Sequence, residues 1–141
     1  MSAEVTSDVA GPTGQIVFTK LVVRDLDAQT GFYGTVLGYS PVQKMTGEVH
    51  GRPVEEVLLG GPEGSPVLLL MRYTDGGAQP DSTGIMLGVG TADLSGFGQV
   101  VVQAGGTVVR PAGPVDIPGS SMQMAIFADP EGFLLEVIET G

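Results

Sequence analysis

The chain has 141 residues, 42% of them hydrophobic, with 23 glycines and 10 prolines spread along it and no cysteine. That length suits one domain with a real core, and that composition excludes a low-complexity chain, disulfides, zinc knuckles and thiol nucleophiles. Sixteen acidic residues against six basic ones leave a net charge of −10, which opposes nucleic acid and anionic membranes and favours cationic partners.

Residues 1–14 show no basic start followed by an apolar stretch, so they read as a flexible N-terminal tail and not as a secretory signal. The longest apolar run, Val67 to Met71, is far short of the roughly 20 residues that a membrane helix needs. Ile16 to Val23 alternates as a strand. Leu26, Phe32, Tyr33, Val36 and Leu37 then recur at helical spacing, with Asp25 or Asp27 to cap the start and Gly38 to end the helix in a left-handed turn. Strands follow over Tyr39 to Met45, Pro53 to Leu59 and Pro66 to Tyr73, separated by the turn-like Thr46-Gly47, His50-Gly51 and Gly60 to Ser65.

Beyond a linker the pattern starts again. Gly84 to Gly90 reads as a strand, and Leu94, Phe97, Val101 and Ala104 carry a helix capped by Asp93 and ended by Gly105. Further strands span Thr107 to Arg110, Ser121 to Phe127 and Phe133 to Glu139, the last two joined by Asp129-Pro130-Glu131-Gly132, which suits a type I turn. Each helix holds two interior glycines. They cost about 1 kcal/mol each relative to alanine, so both helices need packing on a sheet.

The two halves are copies of one unit, since Asp25-Leu26 recurs 68 positions on as Asp93-Leu94 and Leu37-Gly38 falls on Gly105-Gly106. The fold class read from this is α+β: two tandem strand-helix-strand-strand-strand modules within a single domain over 15–141. Module one spans 15–73, the linker 74–82 and module two 83–140, and the two sheets are expected to form one cup.

The Asp-Leu helix starts, the helix end with Phe32-Tyr33 and Leu37-Gly38, and the closing Asp129-Pro130-Glu131-Gly132-Phe133-Leu134-Leu135-Glu136 together resemble the vicinal oxygen chelate superfamily. That superfamily groups glyoxalases, bleomycin-resistance proteins and extradiol dioxygenases, and the resemblance covers residues 15–140. It implies paired βαβββ modules whose sheets curve into a cup, with a divalent metal at its base in the enzymes. The implied ligands are His or Glu from the first and last strands of each module, places that fall here on Phe18, Leu69, Met86 and Glu136. Apolar side chains offer a metal no lone pair, and one carboxylate alone does not hold a metal tightly. No metal and no cofactor is therefore expected, and His50, in a turn, is given no role.

Strand residues two apart share a face, so Phe18 brings Lys20 and Val22 to the cup while Leu21 and Val23 face the helix. The ligand-binding set obtained in this way is Phe18, Lys20, Leu69, Met71, Tyr73, Met86 and Glu136, an apolar and Met-bearing surface with a few polar groups. Lys20 and Glu136 are its charges, either as an ion pair or as groups that meet a charged ligand or move a proton.

Read in this way, the chain is a metal-free small-molecule binding protein resembling bleomycin-resistance proteins, sequestering a drug-like or natural-product ligand in an apolar cup, with no catalytic residue assigned. The alternative is a lyase, isomerase or dioxygenase of the glyoxalase type, with a displaced metal site or with Glu136, Lys20 or Tyr73 as acid and base. A third reading is an interaction module with a filled cup. The partners expected are a small organic ligand, cationic compounds included, and a second copy in a homodimer. Nucleic acid and membrane are not expected, and the expected compartment is the cytoplasm.

Overall fold

The computed structural model describes residues 14, 16, 18–63, 65–80, 85–115 and 118–140. The tail expected over 1–14 lies outside these residues apart from Gly14. The chain falls into two compact units that divide after Pro80.

Module one contains β1 (Phe18–Val22), α1 (Leu26–Leu37), β2 (Ser40–Val49), β3 (Arg52–Gly60) and β4 (Val67–Tyr73). Its sheet runs in the order β1-β4-β3-β2, with β1 parallel to β4 and the other pairs antiparallel. Helix α1 starts where the Asp25 carboxylate accepts the Ala28 N–H at 3.0 Å, and it stops at Gly38, whose φ of 70° is the left-handed conformation glycine tolerates best. Leu21, Leu70 and Val57 lie in register across β1, β4 and β3, all buried, and with Leu26, Phe32, Tyr33 and Val36 of α1 they form the apolar core of this module.

The β2–β3 hairpin turns at His50-Gly51, with φ of 49° and 80°. Two successive positive values define the two-residue turn whose twist matches paired strands. Thr46-Gly47, read from sequence as a break, instead lies within β2, paired with Glu55 and Val54. Ladder hydrogen bonds on one long edge strand override the local preference of Gly47 for a turn.

Module two repeats the plan with β5 (Met86–Thr91), α2 (Leu94–Gln103), β6 (Thr107–Pro114), β7 (Gln123–Ala128) and β8 (Leu134–Glu139), in the order β5-β8-β7-β6. The Asp93 carboxylate accepts the Gly96 N–H at 3.0 Å, and Glu139 accepts the Leu94 N–H at 3.0 Å. Gly98 has a packing reason: a Cβ there would stand 3.2 Å from the Phe127 ring, so a larger residue would require that ring to shift slightly. Leu135 lies between Leu87 and Phe127 in register and is fully buried. Asp129 closes the β7–β8 turn by accepting the N–H groups of Glu131 and Phe133 at 2.8 and 3.0 Å.

Two four-stranded mixed sheets, each with one helix, make the α+β pair of βαβββ modules expected from the repeat. Among the described residues, no helix is long and apolar enough to cross a membrane.

Candidate functional site

Each sheet has one face on its helix and one face turned away from it. In module one the away face carries Phe18, Lys20 and Val22 from β1, Leu69, Met71 and Tyr73 from β4, and Glu56 and Leu58 from β3. Register sets Lys20 beside Leu69 and Leu69 beside Leu58, then Val22 beside Met71 and Met71 beside Glu56.

The Lys20 ammonium lies 2.6 Å from Glu56 Oε1. Strands β1 and β3 flank β4 on opposite sides, about 10 Å apart at ordinary strand spacing. The ion pair therefore spans β4, and it crosses above Leu69 and Met71. Those two side chains are only 7% and 3% exposed, so as they stand they form the apolar bed of the pair. The Lys20 Nζ also lies 5.9 Å from the centre of the Phe18 ring, within reach of a cation–π attraction. Phe18 itself is 47% exposed.

Module two arranges its charge differently. Register places Glu136 between Gly88 of β5 and Ile126 of β7. Gly88 carries no side chain, and a Cβ added there would meet open space, so one flank of the half-buried carboxylate is clear. No hydrogen bond or ion pair engages Glu136 among the described residues. Met86 opens β5 opposite Leu134 and is 47% exposed.

The two registers can be superposed. Phe18 opposite Val67 corresponds to Met86 opposite Leu134, and Lys20 opposite Leu69 corresponds to Gly88 opposite Glu136. Leu69 is thus the counterpart of Glu136, and three of the four places implied for metal ligands are apolar. No group of three or more His, Cys, Asp or Glu side chains that could hold a metal exists among the described residues. This donor set does not fit a divalent metal, because a thioether, an alkyl group and a phenyl ring leave only one hard ligand.

Two features escaped the sequence reading. Glu56 was not singled out, and Lys20 was weighed against Glu136 when its partner is Glu56. The available signal was the Glu55-Glu56 pair: on a strand, two successive carboxylates must occupy opposite faces, so one of them enters the face opposite the helix. Glu55 takes the other side, where it accepts from Arg72 at 3.1 Å.

Tyr73 is also engaged. The Arg52 guanidinium stacks 3.8 Å over its ring and makes two hydrogen bonds to Asp75 at 2.7 and 2.9 Å, plus one to the Ala78 carbonyl at 3.1 Å. Arg52 thereby clasps the start of the linker to the β2–β3 hairpin. The Arg52 guanidinium and the Gly77 N–H hold the Asp75 carboxyl well below the usual carboxylate range. A carboxyl with a lowered folded-state pKa stabilises the fold above its ordinary pKa, near 3.9, and loses that contribution as pH falls through the lowered value. The Gly77 amide, which donates to Asp75 at 2.9 Å, is expected to keep its NMR shift from neutral pH down to the ordinary carboxylate range and to move only below it. In Arg52→Ala that movement should occur at higher pH, and proteases should cut residues 74–80 faster. An unchanged titration in the variant would show that the clasp does not order the linker.

Comparison with known proteins agrees with this fold. A family model described as the Glyoxalase/Bleomycin resistance protein/Dioxygenase superfamily matches residues 15–137. A protein named probable lactoylglutathione lyase from Vibrio parahaemolyticus is 31% identical over 130 residues, covering 89% of this chain and 91% of the relative. A lactoylglutathione lyase from Haemophilus influenzae is 32% identical over 128 residues, covering 89% and 92%. A glyoxalase family protein from Bacillus cereus superposes with a TM-score of 0.73 at 17% identity, over 92% of this chain and 98% of that one, a likeness of fold alone. A glyoxalase I mutant from Zea mays gives a TM-score of 0.68 at 25% identity over 86% of this chain, which spans 45% of the maize chain. These relatives correct the functional reading made from sequence. Sequestration by a metal-free binding protein is overturned, because the relatives that match nearly end to end are named lactoylglutathione lyase or probable lactoylglutathione lyase.

Proposed function

Because the chain belongs to the Glyoxalase/Bleomycin resistance protein/Dioxygenase superfamily, we propose that it is an enzyme of the glyoxalase type, a lyase whose product is a 2-hydroxyacyl thioester such as lactoylglutathione. The observation that carries this reading is the 31% identity that runs through 91% of the Vibrio parahaemolyticus relative. Addition of a thiol to a 2-oxoaldehyde gives a hemithioacetal. Transfer of the hemithioacetal's carbon-bound proton to the neighbouring carbon, with return of the carbonyl to the sulfur-bearing carbon, gives the thioester. No oxidant or reductant is consumed, so the protein's task is to take a proton from carbon and hand it back.

Glu136 is the group we assign to that proton. It is a carboxylate in a mainly apolar strand, its flank at Gly88 is open, and no partner among the described residues occupies it. The homodimer and the cytoplasmic location belong to the same proposal, supported by the habit of the superfamily and by the absence of cysteine.

The test is direct assay of the purified chain with glutathione and a 2-oxoaldehyde, following thioester formation. Acceleration well above the buffer rate is expected. A folded protein that gives no acceleration, with or without added divalent metal, would remove the lyase reading.

A further inference from the structure

Strand β2 ends the sheet of module one, so one side of its backbone pairs with β3 and the other meets no strand of that sheet. Short strands, prolines and bulges protect such edges, because open N–H and C=O groups are a template for another chain. The strands β1 and β5 are short, at five and six residues, and β6 carries Pro111, Pro114 and two register shifts. In contrast, β2 is ten residues long, and its one irregularity lies near its start, between Pro41 and Gln43. From Gln43 to Val49 it is regular, and every residue of that stretch except Met45 and Val49 is exposed.

Register with Val57, Glu55 and Pro53 puts Lys44, Thr46 and Glu48 on one side of the sheet, in a row with the lysine and the glutamate about 13 Å apart. No hydrogen bond or ion pair engages either charge among the described residues. The row is self-complementary. A second β2 laid antiparallel along this edge, with the two-fold axis at Thr46, sets Lys44 of each chain opposite Glu48 of the other. On the other side of the sheet the same register sets Met45 opposite Gly47, so a thioether covers the bare backbone. Nothing within the chain requires glycine there, since a Cβ at Gly47 would meet only the Val54 side chain, at 4.0 Å. A glycine inside a strand often marks the close approach of another backbone.

We infer that β2 is a self-association surface, through which two copies pair antiparallel in the register centred on Thr46 and join their module-one sheets into one. This gives the homodimer proposed above its contact and rests on that part of the proposal, independently of the lyase chemistry. Main-chain hydrogen bonds supply the attraction, and the charged row sets the register. The contact is isologous, so both Lys44–Glu48 pairs form at once. Registers centred on Lys44 or on Glu48 set like charges face to face, which disfavours them. Two copies of a chain of net charge −10 repel each other at long range, and a row with one cation and one anion offers a locally neutral place to meet.

The test is sedimentation velocity of the wild type, of Lys44→Glu, of Glu48→Lys, of an equimolar mixture of these two variants, and of the double variant Lys44→Glu/Glu48→Lys. Circular dichroism checks that each is folded. The wild type is expected as a dimer. Each single variant turns both attractive pairs into repulsive ones, so its dimer dissociation constant should rise at least about tenfold. The mixture should form dimers again, because one chain then presents two anions along the row and the other two cations. The double variant, which exchanges the two charges, should recover wild-type association.

A wild type that stays monomeric across the micromolar range overturns both this surface and the homodimer, while the lyase reading is decided by its own assay. A dimer whose dissociation constant rises less than tenfold in either single variant overturns the surface, and the homodimer stands. Single variants that dissociate but recover neither in the mixture nor in the double variant overturn the pairing of Lys44 with Glu48.

Discussion

Replacing Glu136 with glutamine should lower the rate of thioester formation by at least about a hundredfold, the lower end of what a positioned general base contributes. Glutamine keeps the length and shape of the side chain and can still hydrogen-bond, but it cannot accept a proton from carbon at neutral pH. The fold should be indifferent to the exchange, because no hydrogen bond or ion pair of Glu136 exists among the described residues and its neighbours in register are Gly88 and Ile126. The two measurements are kcat with saturating substrate and the thermal midpoint. A drop in kcat with an unchanged midpoint identifies chemistry. An unchanged kcat would mean that the proton is carried by another group, and the proposal for Glu136 would be withdrawn.

The largest effect on stability is expected at Leu70. It lies at the centre of β4 with Leu21 on one side and Val57 on the other, and it is fully buried against the helix face of module one. Leu70→Ala removes the transfer free energy of the missing carbons and leaves a cavity that flanking strands cannot close, for a loss of about 2–5 kcal/mol. Val42→Ala is the control: Val42 is 64% exposed on the edge strand, and its truncation should change stability by less than about 0.5 kcal/mol. Denaturant unfolding of both variants checks the pair. Equal, small effects would place the core of module one elsewhere than between α1 and β4.

Much of the architecture was legible before any coordinates. Asp25 and Asp93 cap their helices, Gly38 ends the first in a left-handed turn, and Leu21, Leu70 and Leu135 fall on the helix side of their strands. These features depend on neighbours close along the chain or on strict alternation, and both can be counted. The boundary of β2 was not legible, because the ladder with β3 carried the strand through Thr46-Gly47 to Val49. Glu56 was missed for a related reason. Alternation places Glu55 and Glu56 on opposite faces, but it does not say which strand lies on the far side of β4 to supply a cation.

What the sequence determined by itself is the tandem unit and the chemical identity of four places, three of them apolar and one a carboxylate. These are properties of residue type and spacing, and no folding event alters them. The tertiary structure decided which side chains meet: Lys20 with Glu56 across β4, Arg52 with Tyr73 and Asp75, and Leu69 and Met71 beneath the first of these pairs. Such contacts join strands that are distant along the chain, and their partners follow from sheet order. In the order β1-β4-β3-β2, the last strand of module one is inserted between the first and the third. A lysine and a glutamate that look unrelated in sequence are thereby brought together over an apolar bed.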